Sequence, residues 1–287
     1  MLPAGELVWL AVQGERHSFP FVTAANDRKA AGIADSGQKL VVLAEAEIGE
    51  LVVTQDALVE GVHFRVDWIA WRDLGWRAAA VNLSDLAASA AEPEALLVSL
   101  ALPRETQVDE VLELYAGLNE PRVDIVGGDT TAAERVSIGV TAIGRADRVP
   151  GRGGARPGDV LVVTGRLGAA GAAFRAQGYV RPPARIAEGK RLGAVAHAML
   201  DLSDGLGLDA SHIAERSGCR VVIDLDLVPL AEGATRDDLR FGEDYELLAA
   251  TSDPLDFPVV GRCEQGRGVE IHSGGEPVPL TGWDHFR

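Results

Sequence analysis

The sequence is poor in cysteine and in positive charge. Its 287 residues include two cysteines, Cys219 and Cys263, and contain no CxxC pair. Two cysteines cannot build a disulfide framework, and no zinc motif is present, so a reducing cytoplasm is the expected compartment. Lys and Arg number 27 against 43 for Asp and Glu, which gives a formal net charge of −16. Broad electrostatic binding to nucleic acid or to an anionic membrane is therefore disfavoured.

Long apolar runs are also missing. No run reaches the roughly 18 residues that a membrane-spanning helix needs. The N-terminal segment MLPAGELVWLAVQGERHSF contains an early acid and lacks the basic start of a secretion signal. Hydrophobic residues make up 47% and charged residues 24%, an ordinary globular composition. These features predict a protein without a membrane anchor, and the length suits two domains.

Short apolar runs alternate with helical patterns along the chain, which predicts mixed α/β structure. The predicted strands are Leu40–Leu43, Leu51–Thr54, 95–103, 123–131, 135–144, 159–165 and 219–227. The predicted helices cover 72–93, 106–120, 167–178 and 186–198. A stretch rich in Gly, Pro and charge, residues 144–160, has no apolar periodicity and is the best candidate for a domain boundary.

Several aspartates follow apolar runs and lie beside Gly, Ser or Thr: Asp56, Asp85, Asp129, Asp201 and Asp204, with Asp244 in FGEDYELL. One such Asp is ordinarily a cap or turn residue. Five or six in one chain suggest carboxylates that converge in space, and these repel unless cations lie between them. Oxygen ligands without a His or Cys cluster favour Mg²⁺ or Ca²⁺. Mg²⁺ held by a few carboxylates normally also coordinates substrate phosphates.

The usual phosphate-binding motifs are absent: there is no GxxxxGK[ST], no protein-kinase motif set and no GxGxxG. The glycines of TGRLGAAG (164–171) precede a predicted helix, so their amides could contact phosphate. Close packing of a helix on a strand explains them equally well. Ser84 and Ser203 lie outside any GxSxG turn, and an isolated histidine such as His63 is ordinarily structural.

A set of short motifs resembles the thiamine-monophosphate kinase family, in that family's order and over residues 32–286. The motifs are DALVEGVHF (56–64), AAVNLSDLAA (79–88), VGGDTT (126–131), RGGARPGDVLVVTG (152–165), LDLSDGL (200–206), GEDYELL (242–248) and GWDHF (282–286). The wider superfamily includes aminoimidazole ribonucleotide synthetase, selenophosphate synthetase and a hydrogenase-maturation protein. The N-terminal Cys and Lys of selenophosphate synthetase and the C-terminal Cys of the maturation protein are absent, which disfavours both.

The resemblance implies an α/β fold like that of aminoimidazole ribonucleotide synthetase. An α+β N-terminal domain, residues 1–147, would dimerise through its sheet, and an α/β C-terminal domain, residues 148–287, would pack against it. ATP and several Mg²⁺ ions would lie in the cleft. The γ-phosphoryl group of ATP would pass directly to thiamine monophosphate, which gives thiamine diphosphate. The implied partners are ATP, thiamine monophosphate and a second copy of the chain, with no nucleic acid and no membrane.

The resemblance also implies roles for residues that match the family's motifs. The metal ligands would be Asp35, Thr54, Gln55, Asp56, Asp85, Asp129, Asp201 and Asp204. The nucleotide contacts would be Gly128, Asp129, Arg152 and Ser203, of which Asp129 and Arg152, together with Asp204, would be catalytic. The thiamine phosphate would be held by His63, Asp244 and Trp283. Gln55 stands where the family usually has Thr.

The residue types in the sequence also fit this chemistry independently of the resemblance. The nucleophile would be an oxygen of a phosphate monoester, which is largely ionised near pH 7 because the second phosphate pKa is about 6. A general base is then unnecessary, and the sequence offers no evident one. A second hypothesis remains: a non-catalytic nucleotide- or metal-binding relative of the same fold. It is suggested by GIADSG (32–37), where the family usually has GIGDD with a metal-binding aspartate.

Overall fold

A five-stranded sheet forms the first half of the chain. The structure, a computed structural model, describes residues 45–48, 51–279 and 282. The strands are β1 (Glu45–Ile48), β2 (Leu51–Val59), β3 (Glu92–Leu102), β4 (Asp124–Ala132) and β5 (Ser137–Arg145). Their order is β1-β2-β5-β3-β4, and every pair is antiparallel except β3 with β4. Helices α1 (Trp71–Ala88) and α2 (Val108–Leu118) follow β2 and β3 in the chain.

Alternating burial along the strands determines which face of this sheet forms the core. In β5, Ile138, Val140 and Ala142 are buried, and the residues between them are partly exposed. The buried positions of β3, such as Leu96 and Val98, join the same hydrophobic cluster as residues of α1 and α2. Because successive side chains in a strand point to opposite faces, one face packs on these helices. The other face is left less covered.

Small residues let helix α1 pack closely on its neighbours. A Cβ atom on Gly75 would lie 2.0 Å from the carbonyl oxygen of Leu114 in α2, and one on Gly117 would lie 1.9 Å from that of Arg72. The end of α1 also packs against elements of the second half of the chain, in a cluster that includes Ala87 and Leu247. Nearly every residue of α1 from Leu74 onward is buried. The helix is therefore a central element shared by both halves.

A seven-stranded sheet forms the second half. Its strands are β6 (Val160–Val163), β7 (Ala196–Asp201), β8 (Arg220–Asp224), β9 (Leu247–Thr251), β10 (Val259–Glu264), β11 (Gly268–Ser273) and β12 (Glu276–Pro277). The strand order is β12-β11-β8-β10-β6-β9-β7. Three helices accompany it, α3 (Ala169–Arg175), α4 (Ile186–Gly193) and α5 (Leu206–Ser217), with a 3₁₀ turn at Arg236–Arg240. All five residues of β9 are buried, as expected for an inner strand covered on both faces.

The predicted mixture of strands and helices is confirmed within the described residues, with one clear difference. The sequence pattern predicts a helix over 186–198, but α4 ends at Gly193 and β7 begins at Ala196. A short buried apolar run such as AHAML does not distinguish strand from helix by its periodicity, and here pairing with β9 decides. The predicted strand Leu40–Leu43 lies outside the described residues.

The predicted boundary at 144–160 falls in the connection between β5 and β6. The described residues after that connection supply every strand of the second sheet, whereas α1 contacts both halves. The division into domains 1–147 and 148–287 stays a prediction. Among the described helices, none is both long and apolar enough to cross a membrane.

Candidate active site

Carboxylates from three parts of the chain are linked in one cluster around the end of α1. The Thr54 hydroxyl in β2 donates a hydrogen bond to the carboxylate of Asp85 in α1. The neighbouring residue in α1, Ser84, donates through Oγ to Oδ2 of Asp201, at the end of β7, at 2.6 Å. We call Asp56, Asp85, Asp201 and Asp204 the carboxylate cluster. Two hydroxyl groups thus orient two of its four carboxylates.

The surroundings of Asp56 disfavour the ionised form of its carboxyl group. Its backbone N–H donates to Oδ1 of Asn82 in α1 at 3.0 Å, which fixes the strand against the helix. Burial foremost, and then the negative charge of Asp204, raise the pKa of Asp56 above its usual value. Closely spaced carboxylates that resist ionisation are stabilised by a cation placed between them. The cluster therefore has the chemistry of a site for hard divalent cations.

Two residues that the sequence analysis missed lie beside Asp204, on helix α5. Oδ2 of Asp209 accepts the backbone N–H groups of Asp204 and Gly205, each at 3.0 Å, and so caps the start of the helix. Ligand atoms of Asp204, Asp209 and His212 lie within 4.8 Å of one another. The i, i+3 spacing of Asp209 and His212 on one helix face was the available signal. This spacing indicates a ligand group only when Asp204 is known to lie at the start of the helix.

The electrostatics of this group are dominated by burial. Burial, followed by the charges of Asp204 and Asp201, raises the pKa of Asp209 well above its usual range. Burial also lowers the pKa of His212, and the nearby Arg152 lowers it further. The same guanidinium opposes the upward shift at Asp209. Arg152 is thus close enough to act on this group, and its roles in catalysis and nucleotide binding stay predictions.

Asp129 and Gly128 are not brought to the cluster within one copy of the chain. One row of paired residues crosses the first sheet from Asp56 in β2, through Val140 in β5 and Val98 in β3, to Gly128 in β4. Three strand spacings separate β2 from β4, which is roughly 14 Å. Asp129 follows Gly128 and is therefore directed to the opposite face, where it is exposed. A Cβ atom on Gly128 would lie 1.8 Å from the Val98 carbonyl oxygen, which explains this glycine structurally.

Gln55 also lies apart from the cluster. It is exposed on β2, between Thr54 and Asp56, and its Oε1 accepts a hydrogen bond from the Thr141 hydroxyl of β5 at 3.2 Å. Alternation along the strand directs it away from α1. The proposed metal-binding roles of Gln55 and Asp129 stay predictions.

His63 and Ser203 occupy turns next to the site elements. Nδ1 of His63 accepts the backbone N–H of Val59 at 3.0 Å, so in the neutral ring the proton is on Nε2. The carbonyl oxygen of Ser203 accepts the N–H of Glu243 at 2.9 Å. Asp35 and Trp283, the remaining predicted site residues, lie outside the described residues.

Asp244 binds the amides at the start of α3. Its Oδ2 accepts the N–H of Gly168 at 2.7 Å, and its Oδ1 accepts that of Ala170 at 3.4 Å. These are amides of TGRLGAAG, for which the sequence left phosphate contact and close packing as alternatives. Close packing is found, but against the 3₁₀ turn and not against a strand: a Cβ atom on Gly171 would lie 2.8 Å from Cβ of Asp238. The carboxylate of Asp244 thus binds the amides that were considered as a phosphate site.

Asp244 also lines a cavity of about 360 Å³, within the usual size range of ligand pockets. Glu246 lines the same cavity and receives two hydrogen bonds from Arg185, at 2.7 and 2.6 Å, and one from the Thr164 hydroxyl at 2.6 Å. The charge of Glu246 is thus matched by a guanidinium.

Among the described residues, the hydrogen-bond donors to Asp244 are backbone amides, and burial raises its pKa to about 6. Arg166, Arg181 and Arg185 also line the cavity, but their hydrogen bonds in the described part of the chain go to other acceptors. The Asp244 carboxylate would therefore gain from a cationic group placed beside it.

Replacing Asp244 with Asn should change how stability depends on pH. The pKa of about 6 in the folded protein exceeds the ordinary value of 3.8, so folding favours the protonated form. The corresponding stabilisation is present at pH 4 and is lost as the pH rises through 6. Asp244→Asn should therefore gain stability relative to wild type between pH 4 and pH 8, by up to about 3 kcal/mol. Urea unfolding of both proteins at several pH values measures this difference.

The control is Asp238→Asn, for which the sign is opposite. A salt bridge with Arg175 lowers the pKa of Asp238 to about 2. Its stabilisation is present above the ordinary pKa and is lost in acid, so this variant should lose stability relative to wild type as the pH rises from 2 to 6. A stability difference between Asp244→Asn and wild type that does not vary with pH would contradict the assignment.

Comparison with known proteins first defines the class. Residues 37–146 match the family described as AIR synthase related protein, N-terminal domain. The solved structure of hydrogenase maturation protein HypE is 19% identical and has a TM-score of 0.70, with 88% of this chain and 94% of that chain covered. These matches assign the two-sheet fold to the AIR synthase-related class.

Curated relatives then define the family. Thiamine-monophosphate kinase of Aquifex aeolicus (strain VF5) is 34% identical, with 83% of this chain and 88% of the relative covered. The same enzyme of Salmonella typhimurium (strain LT2) is 36% identical, with 87% and 91% covered. The chain belongs to the thiamine-monophosphate kinase family. The solved structure of AaThiL complexed with AMPPCP and TMP is 32% identical, with a TM-score of 0.75 and with 84% of this chain and 90% of that chain covered. The predicted family and fold class are confirmed.

Proposed function

We propose that this protein transfers the γ-phosphoryl group of ATP directly to thiamine monophosphate, which yields thiamine diphosphate and ADP. The observation that carries the proposal is the carboxylate cluster, where Asp56 resists ionisation beside Asp204 and hydroxyl groups orient Asp85 and Asp201. Family membership supports the substrates, since the relative AaThiL has been solved with AMPPCP, an ATP analogue, and with TMP.

Mg²⁺ is the cation that this cluster fits best. The candidate metal-ligand atoms in the described part of the site are carboxylate and hydroxyl oxygens, to which the His212 ring adds a nitrogen. Hard oxygen donors suit Mg²⁺, which normally also binds substrate phosphates. Asp56, Asp85, Asp201 and Asp204 would hold the ions, and Thr54 would orient Asp85 from behind. When bound, Mg²⁺ would offset the repulsion between the phosphates and the charge on the transferring group.

The protein's own groups would then position two anions in line. The acceptor oxygen is already ionised near pH 7, so no side chain has to remove a proton. Arg152, beside Asp209 and His212, supplies a fixed positive charge for the nucleotide phosphates. We retain Asp204 as a catalytic metal ligand and Ser203 as a nucleotide contact. Gly128 and Asp129 stay predicted nucleotide contacts, although one copy of the chain places them on β4, away from the carboxylate cluster.

The cavity beside Asp244 suits the organic part of the acceptor. The thiazolium ring of thiamine monophosphate is a cation, and a carboxylate whose pKa is raised by burial gains from such a neighbour. Val180, Pro182 and Pro183 supply an apolar lining. His63 and Trp283 stay proposed contacts of the same substrate.

We also propose a cytoplasmic homodimer formed through the first sheet. On the face opposite α1, the central parts of β2, β5 and β3 carry uncharged residues. These are Val53, Gln55, Ala57, Leu97, Ser99, Gly139, Thr141 and Ile143. Leu97 is 37% exposed there. A partly exposed, uncharged sheet face is suited to a second copy of itself. Light scattering at micromolar concentration should give twice the chain mass, and a monomeric mass would contradict the dimer.

The function is tested by incubating the purified protein with ATP, thiamine monophosphate and Mg²⁺ and following thiamine diphosphate by chromatography. We expect formation of the product, its loss on addition of EDTA, and its return with excess Mg²⁺. No turnover under any of these conditions would favour the non-catalytic relative suggested by the departure at GIADSG.

A further inference from the structure

Arg77 is a buried arginine that connects α1 to the second half of the chain. Its side chain is 4% exposed. One terminal nitrogen donates to Oε1 of Glu243, and the guanidinium carbon lies 4.9 Å from the centre of the Tyr179 ring. Within the described part of the chain, its Nε has no hydrogen-bond partner. A buried guanidinium with an unmatched donor is costly, so the contacts that Arg77 does form have to offset that cost.

The partner of Arg77 lies in a strained segment. Gly242, Glu243 and Tyr245 have φ values of 81°, 56° and 52°, all in the left-handed region. Only the first of these is a glycine. Non-glycine residues persist in that region only where their surroundings hold them. The ion pair with Arg77 acts directly on one of these residues, Glu243.

This strained segment, Gly242–Glu246, joins the cavity to the carboxylate cluster. The N–H groups of Glu243 and Tyr245 donate to the carbonyl oxygens of Ser203 and Leu202, each at 2.9 Å. The N–H of Leu202 in turn donates to the Glu246 carbonyl at 2.8 Å. Asp201 and Asp204 flank that partner segment, and Asp244 and Glu246 line the cavity. A shift of the strained segment would therefore change the distance between the cavity and the carboxylate cluster.

We propose that Arg77 is a positioning residue that holds the strained segment in place and so sets the spacing between the cavity and the carboxylate cluster. The proposal rests on the proposed function, in that the cavity receives the organic part of thiamine monophosphate and the cluster the phosphates. In-line transfer depends on that spacing, because a misplacement of 1 Å costs about 10²-fold in rate.

The test is Arg77→Met, which keeps length and removes charge. Backbone hydrogen exchange at Glu243 and Tyr245 should become at least about ten-fold faster, while exchange at Leu248 in β9 stays unchanged. The KM for thiamine monophosphate should rise at least about ten-fold and kcat/KM should fall about 10²-fold, with the KM for ATP changed less than about two-fold. Arg77→Lys keeps the charge without the planar fork and should give intermediate values.

Arg220→Met is the control. Arg220 also has an Nε without a partner in the described residues and bonds a carboxylate, that of Glu264 at 2.8 Å. Its side chain is 39% exposed, and it lies in β8 away from the strained segment. It should leave exchange at Glu243 and both KM values unchanged. If Arg77→Met does not fold, Glu243→Gln breaks the same ion pair and is measured in its place.

The outcomes separate the two proposals. Faster exchange at Glu243 and Tyr245 in a protein whose wild type has no turnover would reject the proposed function and support the positioning role. Wild-type exchange and an unchanged ratio of the two KM values in Arg77→Met would overturn the positioning role, whatever the activity. Equal effects from Arg220→Met would likewise overturn it, since they would show a general loss of stability.

Discussion

Asp85→Asn is expected to lower kcat by about 10²- to 10³-fold, the usual cost of losing one electrostatic contact to a transition state. Asp85 lies in α1 beside Ser84 and accepts the Thr54 hydroxyl, so its carboxylate is held in place before any ion binds. Asn preserves the shape and one acceptor oxygen but removes the charge that an ion needs. Steady-state kinetics with ATP and thiamine monophosphate at saturating Mg²⁺ measures the effect.

The same variant should not be less stable than wild type in the absence of divalent cations. It removes one of several repelling charges, and a neutral amide can still accept the Thr54 hydroxyl. Addition of Mg²⁺ should raise the melting temperature of wild type more than that of the variant. Near-normal turnover of Asp85→Asn at saturating Mg²⁺ would remove this residue from the metal site.

Asp159→Asn is the control for burial of a carboxylate. Asp159 is also buried, but it bonds His197 at 2.9 Å and the N–H of Arg156 at 2.8 Å, and it lies outside the carboxylate cluster. Its replacement should lower stability and leave kcat close to wild type. The two variants thus separate loss of structure from loss of metal binding.

The sequence allowed the fold to be predicted where local pattern and packing agree. The helical patterns over 72–93 and 106–120 predict α1 and α2, which pack closely where Gly75 of α1 and Gly117 of α2 meet the other helix. The apolar run 135–144 predicts β5, whose buried residues join the hydrophobic core. The pattern failed at the start of β7, where buried apolar residues suit a strand and a helix equally.

The site was predictable in residue type and less so in geometry. Convergence of Asp56, Asp85 and Asp201 could be inferred because carboxylates repeatedly follow apolar runs. The face of the sheet that a residue occupies could not be inferred, since Asp129 and Gln55 each lie one position away from an inward-facing residue of the same strand. Nor does the composition of GEDYELL indicate a left-handed backbone at Glu243 and Tyr245.

Arg77 shows a further limit of sequence reasoning. In sequence it is one polar residue in an alanine-rich helix, and such a residue is ordinarily taken to face solvent. Its burial depends on Glu243, which lies 166 residues further along the chain. Contacts of that separation have no local pattern, so only the folded structure reveals them.

The central claim is that the protein joins two phosphates with metal ions and fixed charges and without a general base. The most direct measurement compares thiamine monophosphate with free thiamine as acceptor, at equal concentrations and with saturating ATP and Mg²⁺. The thiamine hydroxyl must lose a proton that the phosphate monoester has already lost, and general-base catalysis ordinarily contributes 10²- to 10⁴-fold. We predict that thiamine is phosphorylated at least about 10²-fold more slowly than its monophosphate. Equal rates for the two acceptors would contradict the account.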